Sequence, residues 1–144
     1  MQTNDSINLL KECDAGTKMA VSSIDEVMNE VKNPKFKNIL VECRGKHIEI
    51  GNKLHEILLQ HDQKDKEPNP IAKGMSWMKT NLKMTMNDND TTVADLITDG
   101  CNMGVKSLNR YLNQYSKANE TAANLCKELI HLEEKLAADI RSFL

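Results

Sequence analysis

Between Asp5 and Val31 the positions Ile7, Leu10, Asp14, Thr17, Val21, Ile24, Met28 and Val31 alternate by three and four residues. That spacing stacks side chains along one stripe of a 3.6-residue helix, so it predicts a helix over 5–32 with two polar intrusions, Asp14 and Thr17, on its apolar face. Asn33-Pro34 breaks the pattern, and proline suits a first helical turn because an N–H there would have no intrahelical partner. Phe36, Leu40, Cys43, His47, Ile50, Leu54 and Ile57 then repeat the spacing and predict a second helix over 34–61, with His47 inside the stripe. A third stripe, Ala94, Thr98, Cys101, Val105, Leu108, Leu112 and Tyr115, predicts a helix over 90–116. A fourth runs through Ala118, Ala122, Leu125, Leu129, Leu132, Leu136, Ile140 and Phe143, over 118–143. No segment shows sustained period-two alternation bounded by turn residues, so strands are not expected.

Sliding the chain against itself by 84 residues aligns Gly16 with Gly100, Met19 with Met103, Val21 with Val105 and Ser23 with Ser107. The first and third helices therefore read as copies. The same offset brings His47 onto His131 and Glu49 onto Glu133, but the apolar phase disagrees. At about 100° per residue His131 points away from the stripe centred on Leu125, Leu132 and Leu136, whereas His47 lies near the middle of its own. The join from His61 to Asp90 is too long for a short antiparallel loop. It opens with the charged run Asp62-Gln63-Lys64-Asp65-Lys66-Glu67-Pro68, and Ile71, Met75, Met78 and Leu82 then recur at helical spacing beside Trp77. The reading is an all-α, single-domain four-helix bundle over 1–144: two antiparallel hairpins joined by a long crossover with a short helix over 71–85. That is the connectivity of ferritin-like bundles.

The chain is 144 residues long with a formal net charge of −2, 40% apolar and 3% aromatic residues. Nineteen basic side chains against twenty-one acidic ones, without a basic block, leave no phosphate-neutralising surface, and so few aromatics leave no base-stacking platform. Nucleic acid is not an expected partner. No run approaches the ~20 apolar residues a membrane span needs, and the N-terminus lacks a signal-peptide pattern, so a cytoplasmic protein is expected. Cys13, Cys43, Cys101 and Cys126 lie far apart with no Cys-x-x-Cys pair, which reads as four buried free thiols.

Leu9-Leu10, the break at Lys32-Asn33-Pro34-Lys35-Phe36, the crossover Gly74-Met75-Ser76-Trp77-Met78-Lys79 and Asp99-Gly100 resemble, in order and spacing, a known family over nearly the whole chain. It is the bacterial ferritin-like group catalogued as domain of unknown function 2383. The resemblance implies a four-helix bundle and no established activity. Gly16-Thr17-Lys18-Met19 departs from it, standing where acidic residues are expected in relatives.

Ferritin-like bundles that bind two metal ions take a Glu from each of two helices and a Glu-x-x-His from each of the other two. Glu128-Leu129-Ile130-His131 supplies one such motif, but Arg44-Gly45-Lys46-His47 puts a cation in the place of the carboxylate. Counting back from the turns places His47 level with Ala20 and His131 level with Gly104. Neither Gly16–Ile24 nor Gly100–Leu108 contains an acid. His47, Glu128 and His131 are thus the only candidate metal ligands for a degenerate metal-binding redox or storage site, and no complete set is expected. Cys43 and His47, four apart, have ligand spacing for a soft metal, but two ligands do not make a site. The ordinary expectation for His47 is a neutral core side chain donating to Thr17, Ser23 or a carbonyl. Asp14 and Thr98, in equivalent stripe positions, could form a polar layer or mark where the bundle opens to water. Glu133-Glu134-Lys135 reads as solvated surface. No catalytic residue and no cofactor are expected. The favoured function is a non-catalytic structural or protein-interaction module, with self-association or a partner at the Met-rich crossover around Trp77.

Overall fold

The computed structural model describes residues 4–61, 63 and 89–144. Four long helices account for most of them: α1 (Asn4–Val27), α2 (Pro34–Gln60), α3 (Asn89–Gln114) and α4 (Glu120–Asp139), with short 3-10 turns at Met28–Glu30 and Arg141–Phe143. No strand occurs among the described residues. The expected crossover helix over 71–85 lies outside them.

Helix ends follow local chemistry. The Asn33 side chain accepts from the N–H groups of Lys35 and Phe36 at 2.9 and 3.3 Å, and Pro34 occupies the first turn, so α2 starts where the sequence predicts. Asn119 caps α4 in the same way through the Ala122 N–H at 2.9 Å, which starts that helix two residues later than the stripe alone predicts. α1 stops at Val27 rather than running to 32, because its last turn tightens into the 3-10 segment before the extended Val31. α4 likewise ends at Asp139, with a 3-10 turn replacing its last predicted residues.

Cross-helix contacts fix the directions. Thr17 meets Gly51 and Asp25 meets Arg44, so α1 and α2 are antiparallel. Cys126 with Leu108 and Glu133 with Gly104 make α3 and α4 antiparallel. Asp90 at Lys32 and Asn33 sets α3 antiparallel to α1, while His47 with Glu133 and Phe36 stacked on Phe143 set α4 antiparallel to α2. Ser6 with Asn119 and Gly16 with Leu129 show the remaining facing pair, α1 and α4, running parallel across the core. The order is up, down, down, up. Consequently the connection between α2 and α3 joins opposite ends of a bundle about 40 Å long, the rise of the 27 residues of α2.

One continuous core fills the interior, with Leu9, Leu10, Phe36, Leu40, Leu54, Leu58, Leu129 and Ile140 at or below 1% exposure. Gly51 lets α1 approach α2, since a Cβ there would stand only 3.3 Å from the Thr17 hydroxyl oxygen. Two aspartates in first helical turns tie the hairpins together. Asp90 at the head of α3 accepts from the Lys32 and Asn33 N–H groups at 2.7 and 2.9 Å, and Asp5 at the head of α1 accepts from the Lys117 N–H at 3.0 Å. Each closes the turn of the opposite hairpin. Asp90→Ala is expected to cost about 1–2 kcal/mol by orphaning two N–H donors of a turn. Urea unfolding checks this, with the exposed Asp95→Ala on the same helix expected to change stability negligibly.

Candidate functional site

The core is apolar except at a few levels, and the largest polar intrusion is His47. Its stripe position on α2 aims it at the bundle centre, where it is fully buried. Nδ1 lies 2.9 Å from the Cys43 carbonyl oxygen one turn back, with the Cys43 Sγ at 3.4 Å, and Nε2 lies 2.8 Å from Oε1 of Glu133 on α4. Both ring nitrogens thus face acceptors. A carbonyl can only accept, so Nδ1 carries a proton, and the short Nε2–carboxylate contact then needs a second proton between ring and carboxylate. Burial by itself lowers the His47 pKa. The hydrogen bonds to Cys43 and Glu133 and their charge outweigh it, and the pKa is pushed up to about 10. The upward shift favours the charged ring beside Glu133. Of the expected acceptors the ring meets a carbonyl, that of Cys43, while Thr17 donates to the Asp14 carbonyl at 2.8 Å; the contact with Glu133 was not expected.

Glu133 is 9% exposed, which corrects its reading as solvated surface. The acidic run Glu133-Glu134 disguises it, because only Glu134 points out. The phase carries the missed signal: Ala122, Cys126, Leu129, Glu133, Leu136 and Ile140 alternate by four and three, placing Glu133 inside the buried stripe. The carboxylate faces Gly104 of α3, where a Cβ would stand in ordinary contact at 3.7 Å. α3 also supplies Cys101. Burial first, and the Glu133 charge and hydrogen bond next, hold its thiol well above the ordinary range, so it stays protonated and donates to Glu133. The result is a buried chain of hydrogen bonds from the Cys43 carbonyl through His47 and Glu133 to Cys101, joining α2, α4 and α3.

The other candidates stand elsewhere. His131 is 82% exposed and lies 3.6 Å from Glu134 on the outer face of α4, and Glu128 is exposed as well. His47, Glu128 and His131 are therefore not brought together. Arg44 does not enter the core, since its guanidinium reaches across the surface to Asp25 at 2.6 Å. Asp14 is buried and pairs with Lys18 at 3.2 Å, whereas the buried Thr98 hydroxyl meets no hydrogen-bond partner among the described residues. All four cysteines are buried free thiols. Among the described residues no three histidine, cysteine or carboxylate side chains are arranged to hold a metal ion, and no helix is long and apolar enough to cross a membrane.

The ring nitrogens, the carboxylate and the Cys101 thiol engage one another, and His47 also stands at the floor of a groove lined by Asp14, Thr17, Lys18 and Gly51. Compared with family models, curated proteins and solved structures, the chain matches none.

Proposed function

We propose that the protein is a non-catalytic bundle of ferritin-like connectivity, akin to the group with domain of unknown function 2383, that serves as a structural or protein-interaction module. Support for the connectivity comes from the up, down, down, up order, which puts the end of α2 and the start of α3 at opposite ends of the bundle. The functional reading rests on one observation: at the level where a di-metal centre would need inward carboxylates from several helices, His47 and Glu133 satisfy each other. In place of a ligand set this bundle carries a buried ion pair that holds one hairpin to the other. Its working surface is then its exterior, through self-association or a protein partner. The Met-rich segment around Trp77, expected to make that contact, lies outside the described residues.

Elemental analysis of untagged protein, before and after incubation with ferrous iron, manganese and zinc, tests this reading. The expected result is far less than one ion per chain. Near-stoichiometric metal that survives dialysis, is retained in His131→Ala and is lost in His47→Ala would overturn it in favour of a degenerate metal-binding redox or storage site. Sedimentation velocity over a range of concentrations completes the test, with concentration-dependent association as the expected outcome.

A further inference from the structure

The deepest pair of thiols has no part in the hydrogen-bond chain around His47. Cys13 on α1 and Cys126 on α4 are both fully buried and belong to different hairpins. Ser6 meets Asn119 and Gly16 meets Leu129 across the parallel α1–α4 interface, each pair 113 residues apart in sequence. Cys13 and Cys126 share that offset, which puts them at one level of the facing helices. Their side chains interact, and the Cys126 thiol donates to the Leu108 carbonyl at 3.7 Å.

We infer that Cys13 and Cys126 form an oxidisable dithiol, which a hydroperoxide converts to a disulfide bolting the first hairpin to the second. The positive charge of the neighbouring Lys127 favours a thiolate at Cys126, which makes Cys126 the first nucleophile. Its sulfur attacks the distal oxygen of the hydroperoxide, the O–O bond breaks, the alcohol (or water) leaves, and Cys126 becomes a sulfenic acid. Cys13 sulfur then attacks the sulfenic sulfur, the S–S bond forms, the S–O bond breaks, and hydroxide leaves as water with the Cys13 proton. Two thiols and one hydroperoxide give one disulfide, one alcohol and one water. Because both sulfurs are buried, oxidation requires local opening of the α1–α4 contact and is slow relative to that of an exposed thiol. The product then traps the closed bundle.

Treatment of the full chain with hydrogen peroxide, followed by alkylation in denaturant and intact-mass measurement, tests this. The expected result is two alkylated cysteines where the reduced protein has four, with a Cys13–Cys126 cross-linked peptide on digestion. Melting is expected to rise by roughly 10 °C and to return on reduction with dithiothreitol. The double variant Cys43→Ser/Cys101→Ser is expected to form the same cross-link, which removes dependence on variants at the pair itself. Four alkylatable thiols after peroxide, oxidation to sulfonic acid without a cross-link, or a disulfide involving Cys43 or Cys101 would each overturn the inference.

Discussion

Replacing Glu133 by alanine is expected to destabilise the protein by about 3–5 kcal/mol, the cost of leaving a buried charge without its partner. His47 is fully enclosed, and its second proton rests on the 2.8 Å contact with the carboxylate. Without Glu133 the ring must lose that proton and leave Nε2 facing an empty, dry space, while Cys101 loses its acceptor. Glu133→Gln keeps an acceptor oxygen and the volume, so it is expected to cost less than the alanine change. Glu134→Ala, one residue away on the exposed face, is expected to fall within about 0.5 kcal/mol of the parent. The informative comparison is His47→Leu/Glu133→Leu. A buried ion pair replaced on both sides by apolar groups is often neutral or stabilising, so the double variant is expected to be more stable than Glu133→Ala. Chemical denaturation with a double-mutant cycle measures these differences. Equal losses for Glu133→Ala and Glu134→Ala would show that the pair contributes nothing.

That pair also marks where the sequence could and could not be read. The bundle was legible because each helix repeats an unbroken three-and-four spacing over at least six turns, and a proline or an asparagine stands near each sharp turn. His47 was legible as a buried residue for the same reason. Its partner was not, because a carboxylate among charged neighbours is usually solvated, and the local composition around Glu133-Glu134-Lys135 outweighed the phase. Partner identity is a separate difficulty. His47 and Glu133 are brought together by the antiparallel packing of α2 on α4, two helices from different hairpins, and no local pattern encodes the register between them. The same holds for Cys13 and Cys126, whose common level follows from the parallel α1–α4 packing. Helix ends at Val27 and Asp139 escaped for a smaller reason: apolar periodicity continues through a 3-10 turn, whose side-chain spacing differs little over three residues.

Stability is expected to fall as the solution is made alkaline, and the sign follows from the direction of the His47 shift. A histidine has an ordinary pKa near 6.5 in the unfolded chain, and in the folded protein His47 is raised to about 10. Below pH 6.5 both states hold the proton, and the stabilisation of the imidazolium by Glu133 is present in full. Between 6.5 and 10 the folded state holds a proton that the unfolded state has released, so folding loses about 1.4 kcal/mol per pH unit from this group. Above 10 the contribution is gone, after a total loss of several kcal/mol. The groups facing His47 sharpen the expectation. Glu133 on α4 supplies the charge, Cys43 on α2 and Cys101 on α3 are the neighbouring thiols, and Asp14 and Lys18 line the groove on the α1 side, already paired with each other. Thiols of the unfolded chain also ionise in alkali, so the measurement is a difference between proteins. Urea unfolding of the parent and of His47→Leu/Glu133→Leu at half-unit steps from pH 6 to 10 is expected to show the stability difference shifting steadily in the variant's favour as pH rises, with the parent losing several kcal/mol more than the variant. Parallel curves over that range would mean that His47 does not hold its second proton, and that the contact with Glu133 is a neutral hydrogen bond with the proton on the carboxyl.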